Sequence, residues 1–307
     1  MTIQQLEYVI ALDKYRHYVT AAEKCDVTQP TITLQLKKLE DEIGIQIFDR
    51  SKSPLKPTTS GELIISKAKQ IINEVNLLKD IMNHEKDSIE GTFKIGIIPT
   101  ISPYIVPKFI GSFIKNYPNT HLDINEMQSE NIIESLKKGD IDIGILVAPI
   151  EEPVIKEILL YNEPFLYYGN IEELKGLSHV ESKDIEKREG LWLLNSGHCF
   201  RNQVLNICDS VKSNTKNIAF QSGSIETLKK MVDNYGGFTL IPELAKDKKD
   251  ESNIIPFVEP KPIREVCLAV HRGFAKEGLL EVLKKEILEI IPKDFKKNQR
   301  IIKMLWR

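Results

Sequence analysis

Between Ile3 and Ile43 the apolar residues fall at helical spacing, and the breaks between them leave room only for tight turns. Ile3, Leu6, Val9, Ile10 and Leu12 give a first helix one apolar face. A second, short helix is expected over about 19–25, where Ala21 and Ala22 are small enough for close helix contact. Asp26-Val27 then makes a turn and Thr28 is placed to cap the next helix. Pro30 falls inside that helix's first turn, where its missing N–H costs nothing. The helix runs to Glu42 and stops at Gly44. Its inward residues Ile32, Leu36, Leu39 and Ile43 leave Gln29, Thr31, Thr33, Gln35 and Lys37 outward or near the leading end. Helix, tight turn and polar-fronted second helix form the helix-turn-helix pattern.

Residues 45–48 and 56–59 flank Asp49-Arg50-Ser51-Lys52-Ser53-Pro54, which reads as a two-stranded wing. Thr58-Thr59-Ser60-Gly61-Glu62 starts a long helix to about Glu85. Along it Ile64, Ala68, Ile71, Val75, Leu78 and Met82 trace a short heptad seam, which predicts a dimerising linker. From Gly91 the texture changes. Strand patterns at 93–98, 122–127, 141–147, 165–168, 191–194, 218–221, 239–241 and 266–270 alternate with helical patterns at about 103–116, 130–138, 199–210, 224–235 and 277–290. This predicts a mostly parallel α/β arrangement. The expected division is a DNA-binding domain over 1–60, a linker helix over 61–88 and a regulatory domain over 89–307. The basic tail 293–307 is expected to be a solvated terminal helix.

Charge does not by itself point to nucleic acid. The whole chain of 307 residues carries a formal −2, and residues 1–60 hold eight basic and eight acidic side chains. Placement makes the case instead: Gln29, Thr31, Thr33 and Lys37 lie at the leading part of one helix and Arg50 and Lys52 on the wing. Gln29, Thr31 and Thr33 are expected on base edges or nearby phosphates, beside Thr28 and Pro30. Lys37, Arg50 and Lys52 are expected on phosphates. No apolar run approaches the length of a membrane span and no signal-peptide pattern opens the chain, so a cytoplasmic protein with no membrane partner is expected.

The four cysteines, Cys25, Cys199, Cys208 and Cys267, are too few and too scattered for a secreted disulfide framework. Cys25 and Cys267 read as small core residues. Cys199 differs: it follows His198, precedes Arg201 and stands at an expected helix start, all of which favour a thiolate. Cys208 lies nine residues on. Across a helix that separates the Cα atoms by roughly 13–14 Å, whereas a disulfide tolerates about 7 Å. The pair could bond only if the segment unwound. The histidines show no metal-ligand spacing, and no metal or cofactor is expected.

The run Ala21-Ala22-Glu23-Lys24-Cys25-Asp26-Val27-Thr28-Gln29-Pro30-Thr31-Ile32-Thr33, followed by Lys38-Leu39-Glu40 and 44–50, resembles the LysR-type bacterial transcriptional regulators, and the resemblance covers the whole chain. It implies a two-lobed, periplasmic-binding-protein-like α/β effector domain behind a winged helix-turn-helix and a linker helix. Its lobes would be about 89–162 with 267–307, and 163–266, joined by crossover strands near 161–166 and 265–270. Ile97-Ile98-Pro99-Thr100, Pro103-Tyr104, Gly197-His198-Cys199-Phe200-Arg201-Asn202-Gln203 with Cys208, and Glu226-Thr227-Leu228 with Met231-Val232 are similar to the members that sense hydrogen peroxide.

That similarity implies that Cys199 is the peroxide-reactive thiol and Cys208 its resolving partner. His198, Arg201 and the helix-start N–H groups would stabilise the thiolate, and the hydroxyls of Thr100 and Ser129 could hold the peroxide oxygens. Ser129 stands where relatives can have threonine and Asn202 where they can have aspartate. The resemblance further implies operator DNA, a homodimer through the linker helix, a homotetramer, RNA polymerase, and glutaredoxin or thioredoxin as reductant, with activation of antioxidant genes. An enzyme is not expected. Two alternatives stay open: a LysR-type regulator that binds a small metabolite between its lobes, and a thiol peroxidase.

Overall fold

The computed structural model describes residues 1–82, 89–169, 176, 178–185, 189–208, 222–296 and 301–306. It divides into two compact units, a helical N-terminal one that ends in a long helix and an α/β one that follows.

The N-terminal unit holds α1 (Ile3–Tyr15), α2 (Tyr18–Lys24) and α3 (Gln29–Ile43), then strands β1 (Phe48–Asp49) and β2 (Lys56–Pro57), then α4 (Thr59–Met82). A capping box starts α1: Thr2 Oγ1 accepts from the Gln5 backbone N–H at 3.2 Å, and Gln5 Oε1 accepts from the Thr2 N–H at 2.8 Å. The apolar faces meet as expected, with Leu6, Val9, Leu12, Ala21, Ala22, Ile32, Leu36 and Leu39 all buried. Gly44 ends α3 in the left-handed conformation, φ 70°. Thr28 holds the cap position of α3, but its hydroxyl pairs with Thr31 Oγ1 at 2.9 Å rather than with a backbone N–H. The two wing strands pair antiparallel. Gly61 is required where the wing crosses α4, because a Cβ there would meet the Ile47 carbonyl oxygen at 1.9 Å. Ile65 and Ala68 of α4 are buried, while Leu63, Ile71 and Leu78 are exposed. The side chain of Met82, the last position of the seam, lies outside the described residues.

The α/β unit contains β3 (Gly91–Ile97), α5 (Ser102–Asn116), β4 (Thr120–Glu126), α6 (Ser129–Lys138), β5 (Ile143–Ala148), β6 (Ile155–Gly169), α7 (Ser182–Ile185), α8 (Cys199–Ile207), α9 (Ile225–Tyr235), β7 (Phe238–Pro242), β8 (Ile254–Pro256), β9 (Lys261–His271), α10 (Glu277–Ile290) and β10 (Ile301–Lys303). The strand order is β4-β3-β5-β9-β6-β7. Only β3–β4, β3–β5 and β9–β10 are parallel; β5–β9, β6–β9, β6–β7 and β6–β8 are antiparallel. The mostly parallel expectation is therefore corrected. Two long strands running in opposite directions, β6 and β9, pass through both lobes, and every pairing that β6 makes is antiparallel.

Two further expectations change. Residues 191–194 contribute a single bridge, Leu191 to Phe238, rather than a strand, and 218–221 lie outside the described residues. The tail is not a solvated helix. After a 3₁₀ turn at Lys293–Lys296 it returns as β10, extending the edge of β9, and Trp306 is buried.

Candidate functional site

Helix α8 begins at Cys199 because the residues before it cannot continue a helix backwards. Gly197 has φ 96°, and His198 is extended at the cap position. That positive φ calls for glycine, while a Cβ there would meet only the movable end of the Gln128 side chain, 2.8 Å from its Oε1. Phe200, Val204 and Ile207 bury one face of α8 in the second lobe's core, where Phe200 stacks on Phe165 with centroids 5.3 Å apart.

Cys199 occupies the first helical position and is 4% exposed. Burial pushes its thiol above the ordinary value; the Ser129 hydroxyl, then the Arg264 guanidinium, then the N–H groups at the helix start pull it back. Ser129 Oγ is buried with no hydrogen-bond partner of standard geometry, so its influence on the sulfur is that of a weak donor nearby. Arg264, on β9, is itself fully enclosed. Its Nε and Nη2 donate to Glu163 Oε2 at 2.9 and 2.8 Å, its Nη1 to Thr100 Oγ1 at 3.0 Å and its Nη2 to the Thr100 carbonyl at 3.0 Å. The guanidinium also lies 5.4 Å from the centroid of the Phe200 ring. Glu163, on β6, spends its second oxygen on the Leu244 N–H at 2.9 Å.

The structure thus gathers Cys199, Ser129 and, through Arg264, Thr100. Two neighbours of Cys199 in sequence differ from expectation. Burial lowers the pKa of His198, which disfavours the cationic form of the imidazole next to Cys199. Arg201 donates from Nη1 to the Leu194 carbonyl at 2.7 Å, bracing the loop before α8; the arginine acting on the sulfur is Arg264. Sequence reasoning missed Arg264 and Glu163. Their signal was charge inside two apolar strands, since buried ions are kept only with partners. Cys208 caps the far end of α8, 1% exposed within the second lobe's core. No two of the four cysteines are bonded to each other. Cys267 is also buried, but Glu157 and Glu265 push its thiol further up. No cluster suited to a metal ion occurs among the described residues.

In the N-terminal unit, Thr28, Gln29, Pro30, Lys37, Arg50 and Lys52 are exposed and Thr31 and Thr33 partly so. Arg50 is not free in the wing: its Nη2 pairs with Glu40 Oε2 at 2.6 Å, while Glu40 Oε1 accepts from the N–H groups of Ile47 and Phe48. An apolar groove of about 340 Å³ is lined by Leu39, Ile43, Ile45, Leu63, Ile64 and Ile71, among others. No helix of the described residues is long and apolar enough to cross a membrane.

A winged helix-turn-helix followed by a long helix and a two-lobed α/β domain defines a DNA-binding transcriptional regulator with an effector-responsive half. Residues 3–62 match the bacterial regulatory helix-turn-helix family of LysR type and residues 86–289 the LysR substrate-binding domain. The chain belongs to the LysR family. Within it the chain is OxyR-like. It is 32% identical to the DNA-binding transcriptional dual regulator OxyR of Escherichia coli K12, covering 94% of this chain and 95% of that one. It is also 32% identical to the hydrogen peroxide-inducible genes activator of Haemophilus influenzae, covering 89% and 91%. The structure of full-length OxyR C199D from Pseudomonas aeruginosa superposes with a TM-score of 0.80 at 31% identity, covering 94% of each chain.

Proposed function

We propose that this regulator senses hydrogen peroxide at Cys199 and signals by forming a disulfide with Cys208. The observation that carries the reading is the contrast with Cys267: at Cys199 a hydroxyl and a guanidinium work against the rise that burial imposes, whereas at Cys267 two carboxylates add to it. The thiolate attacks the O–O bond; one oxygen stays on sulfur as a sulfenic acid and the other leaves as water after taking a proton. Thr100 Oγ1, accepting from Arg264, keeps its own hydrogen to donate to peroxide, and Ser129 offers a second hydroxyl. The Cys208 sulfur then displaces the hydroxyl of the sulfenic acid, giving the disulfide and a second water. A helix of this length holds the two Cα atoms roughly 13–14 Å apart, so that step requires α8 to unwind.

The output is at the other unit. Thr28, Gln29, Pro30, Thr31 and Thr33 present the leading end of α3 to base edges and nearby phosphates, and Lys37, Arg50 and Lys52 bind phosphates. Exposed Ile71 and Leu78 on α4 and the groove beside Leu63 provide the apolar surface for a homodimer. The working state is a cytoplasmic homotetramer that recruits RNA polymerase to antioxidant genes and is reset by glutaredoxin or thioredoxin.

A footprint on operator DNA with reduced and peroxide-treated protein tests the reading, with Cys199→Ser alongside. Peroxide should change the footprint of the natural chain and leave that of Cys199→Ser unchanged. Identical footprints before and after oxidation would instead favour a metabolite effector, and sustained peroxide turnover with a thiol reductant would favour a peroxidase.

A further inference from the structure

The C-terminal residues make contacts that sensing at Cys199 does not by itself explain. Three side-chain amides of α8 each hold a carbonyl of the tail: Gln203 Nε2 donates to Met304 at 2.8 Å, Asn206 Nδ2 to Leu305 at 2.8 Å and Asn202 Nδ2 to Trp306 at 3.0 Å. The other side of the tail is fixed to β9. Residues Ile301, Ile302 and Lys303 pair with Lys261, Pro262 and Ile263, the Met304 N–H donates to the Ile263 carbonyl at 2.9 Å, and Lys303 Nζ meets Glu265 Oε1 at 2.7 Å. Ile263 and Glu265 flank Arg264. The tail therefore ties the helix that carries Cys199 to the strand that carries the guanidinium acting on it. Met304 also packs on the core that holds Cys208, and Trp306 is 4% exposed.

We propose that residues 301–306 form a strap that stabilises the reduced, helical state of α8 and is released when the 199–208 disulfide forms. The inference rests on the peroxide reading above. The amides at 202, 203 and 206 meet three successive carbonyls while the helix sets 206 one turn from 202 and from 203, at spacings of four and three residues. Unwinding α8 destroys that register, so the three bonds break together. Gln203 shows the coupling most directly. It is fully buried, its Oε1 has no partner, and Met304 is what its amide nitrogen binds. Without the strap that nitrogen loses the Met304 carbonyl, and the helix loses a bond that holds Gln203 in place. Because coupling is reciprocal, whatever the strap contributes to the helix it withholds from the disulfide. Asn202, Gln203 and Asn206 are thus positioning residues, acting on Cys199 through the tail.

Hydrogen exchange read by mass spectrometry on the full chain tests this without a substitution. Amides of 301–306 should be protected in the reduced protein and exchange freely after peroxide, and Cys199→Ser should show no change. The same samples report the disulfide by mass. A disulfide with the tail still protected would overturn the strap and leave the thiol chemistry standing; absence of a disulfide would overturn both. As a second measurement, the double variant Asn202→Ala/Asn206→Ala changes two exposed side chains, and a chain ending at Arg300 removes the strap altogether. In a dithiol redox buffer each should shift the thiol–disulfide equilibrium toward the disulfide, the truncation by roughly tenfold, as expected for losing a few net hydrogen bonds. An unshifted equilibrium in the truncated chain would overturn the proposal.

Discussion

The two ends of α8 carry the same chemical group in different parts of the fold. Cys199 and Cys208 are both almost wholly buried, at 4% and 1% exposure. At the first end the sulfur meets Ser129, the field of Arg264 and backbone N–H groups. At the second it lies in a core with Phe200, Val204 and Ile207. Burial alone therefore does not distinguish the two thiols. What replaces water differs from site to site: at Cys267 burial, with Glu157 and Glu265 adding to it, pushes the thiol well up. In the proposed mechanism this divides labour: one end attacks the oxidant, and the other can join in only if part of the core opens.

Removing the cation should have the largest effect. Arg264→Met leaves Glu163 0% exposed without its guanidinium partner, and breaking one side of a buried pair costs about 3–5 kcal/mol. Urea unfolding should show that loss, and the second-order rate with peroxide should fall as the Cys199 thiol pKa rises further. The double variant Glu163→Gln/Arg264→Met separates the two effects. It should recover much of the stability while the slow peroxide rate persists; recovery of both would mean that Arg264 only supports the fold. Ser129→Ala comes next. Its hydroxyl has no standard partner to lose, so stability should change by no more than about 1 kcal/mol, while the peroxide rate drops several-fold. An unchanged rate would remove Ser129 from the site.

The pH profile probes the same end of the helix. Because burial holds the Cys199 thiol above its ordinary value, the thiolate is the minor form at neutral pH. Its fraction grows tenfold per pH unit. The logarithm of the peroxide rate should therefore rise with near-unit slope through neutrality and level off only above about 8.5, the unperturbed thiol value. A plateau already reached below pH 7 would contradict that direction.

Much of this was legible in the sequence where the signal is local. Pro30 inside a first turn, Gly44 after the last apolar position and Ala21-Ala22 at a close crossing each act within a few residues, and α1 to α3 fold as they imply. Strand direction is different. Periodicity says that 155–169 and 261–271 face a core but not which way they run, so the antiparallel crossing of β6 and β9 was missed. The site shows the same divide. Arg201 was chosen because it is near Cys199 in sequence, while Arg264 acts because β9 brings it near in space. The tail misled by composition: its basic residues suggested solvent, but it is held by backbone carbonyls, which no side-chain pattern records.

The smallest expected effect concerns His198, the neighbour that sequence cast as a cation. Burial lowers its pKa, so the folded state favours the neutral ring. A depressed histidine pKa means that the unfolded chain binds the proton more readily. Its contribution to stability is therefore complete above about 6.5, the unperturbed value, and is lost as pH falls through and below it. His198→Gln should leave the peroxide rate near pH 7 almost unchanged, because a neutral group is exchanged for a neutral group. It should also flatten the fall in stability between about pH 6.5 and 5, by less than about 1 kcal/mol. Denaturant midpoints at three pH values measure this directly. A large drop in peroxide rate at pH 7 would return His198 to the role of a charged activator. It would then be the reactive end of α8, rather than the strand opposite it, that supplies the positive charge.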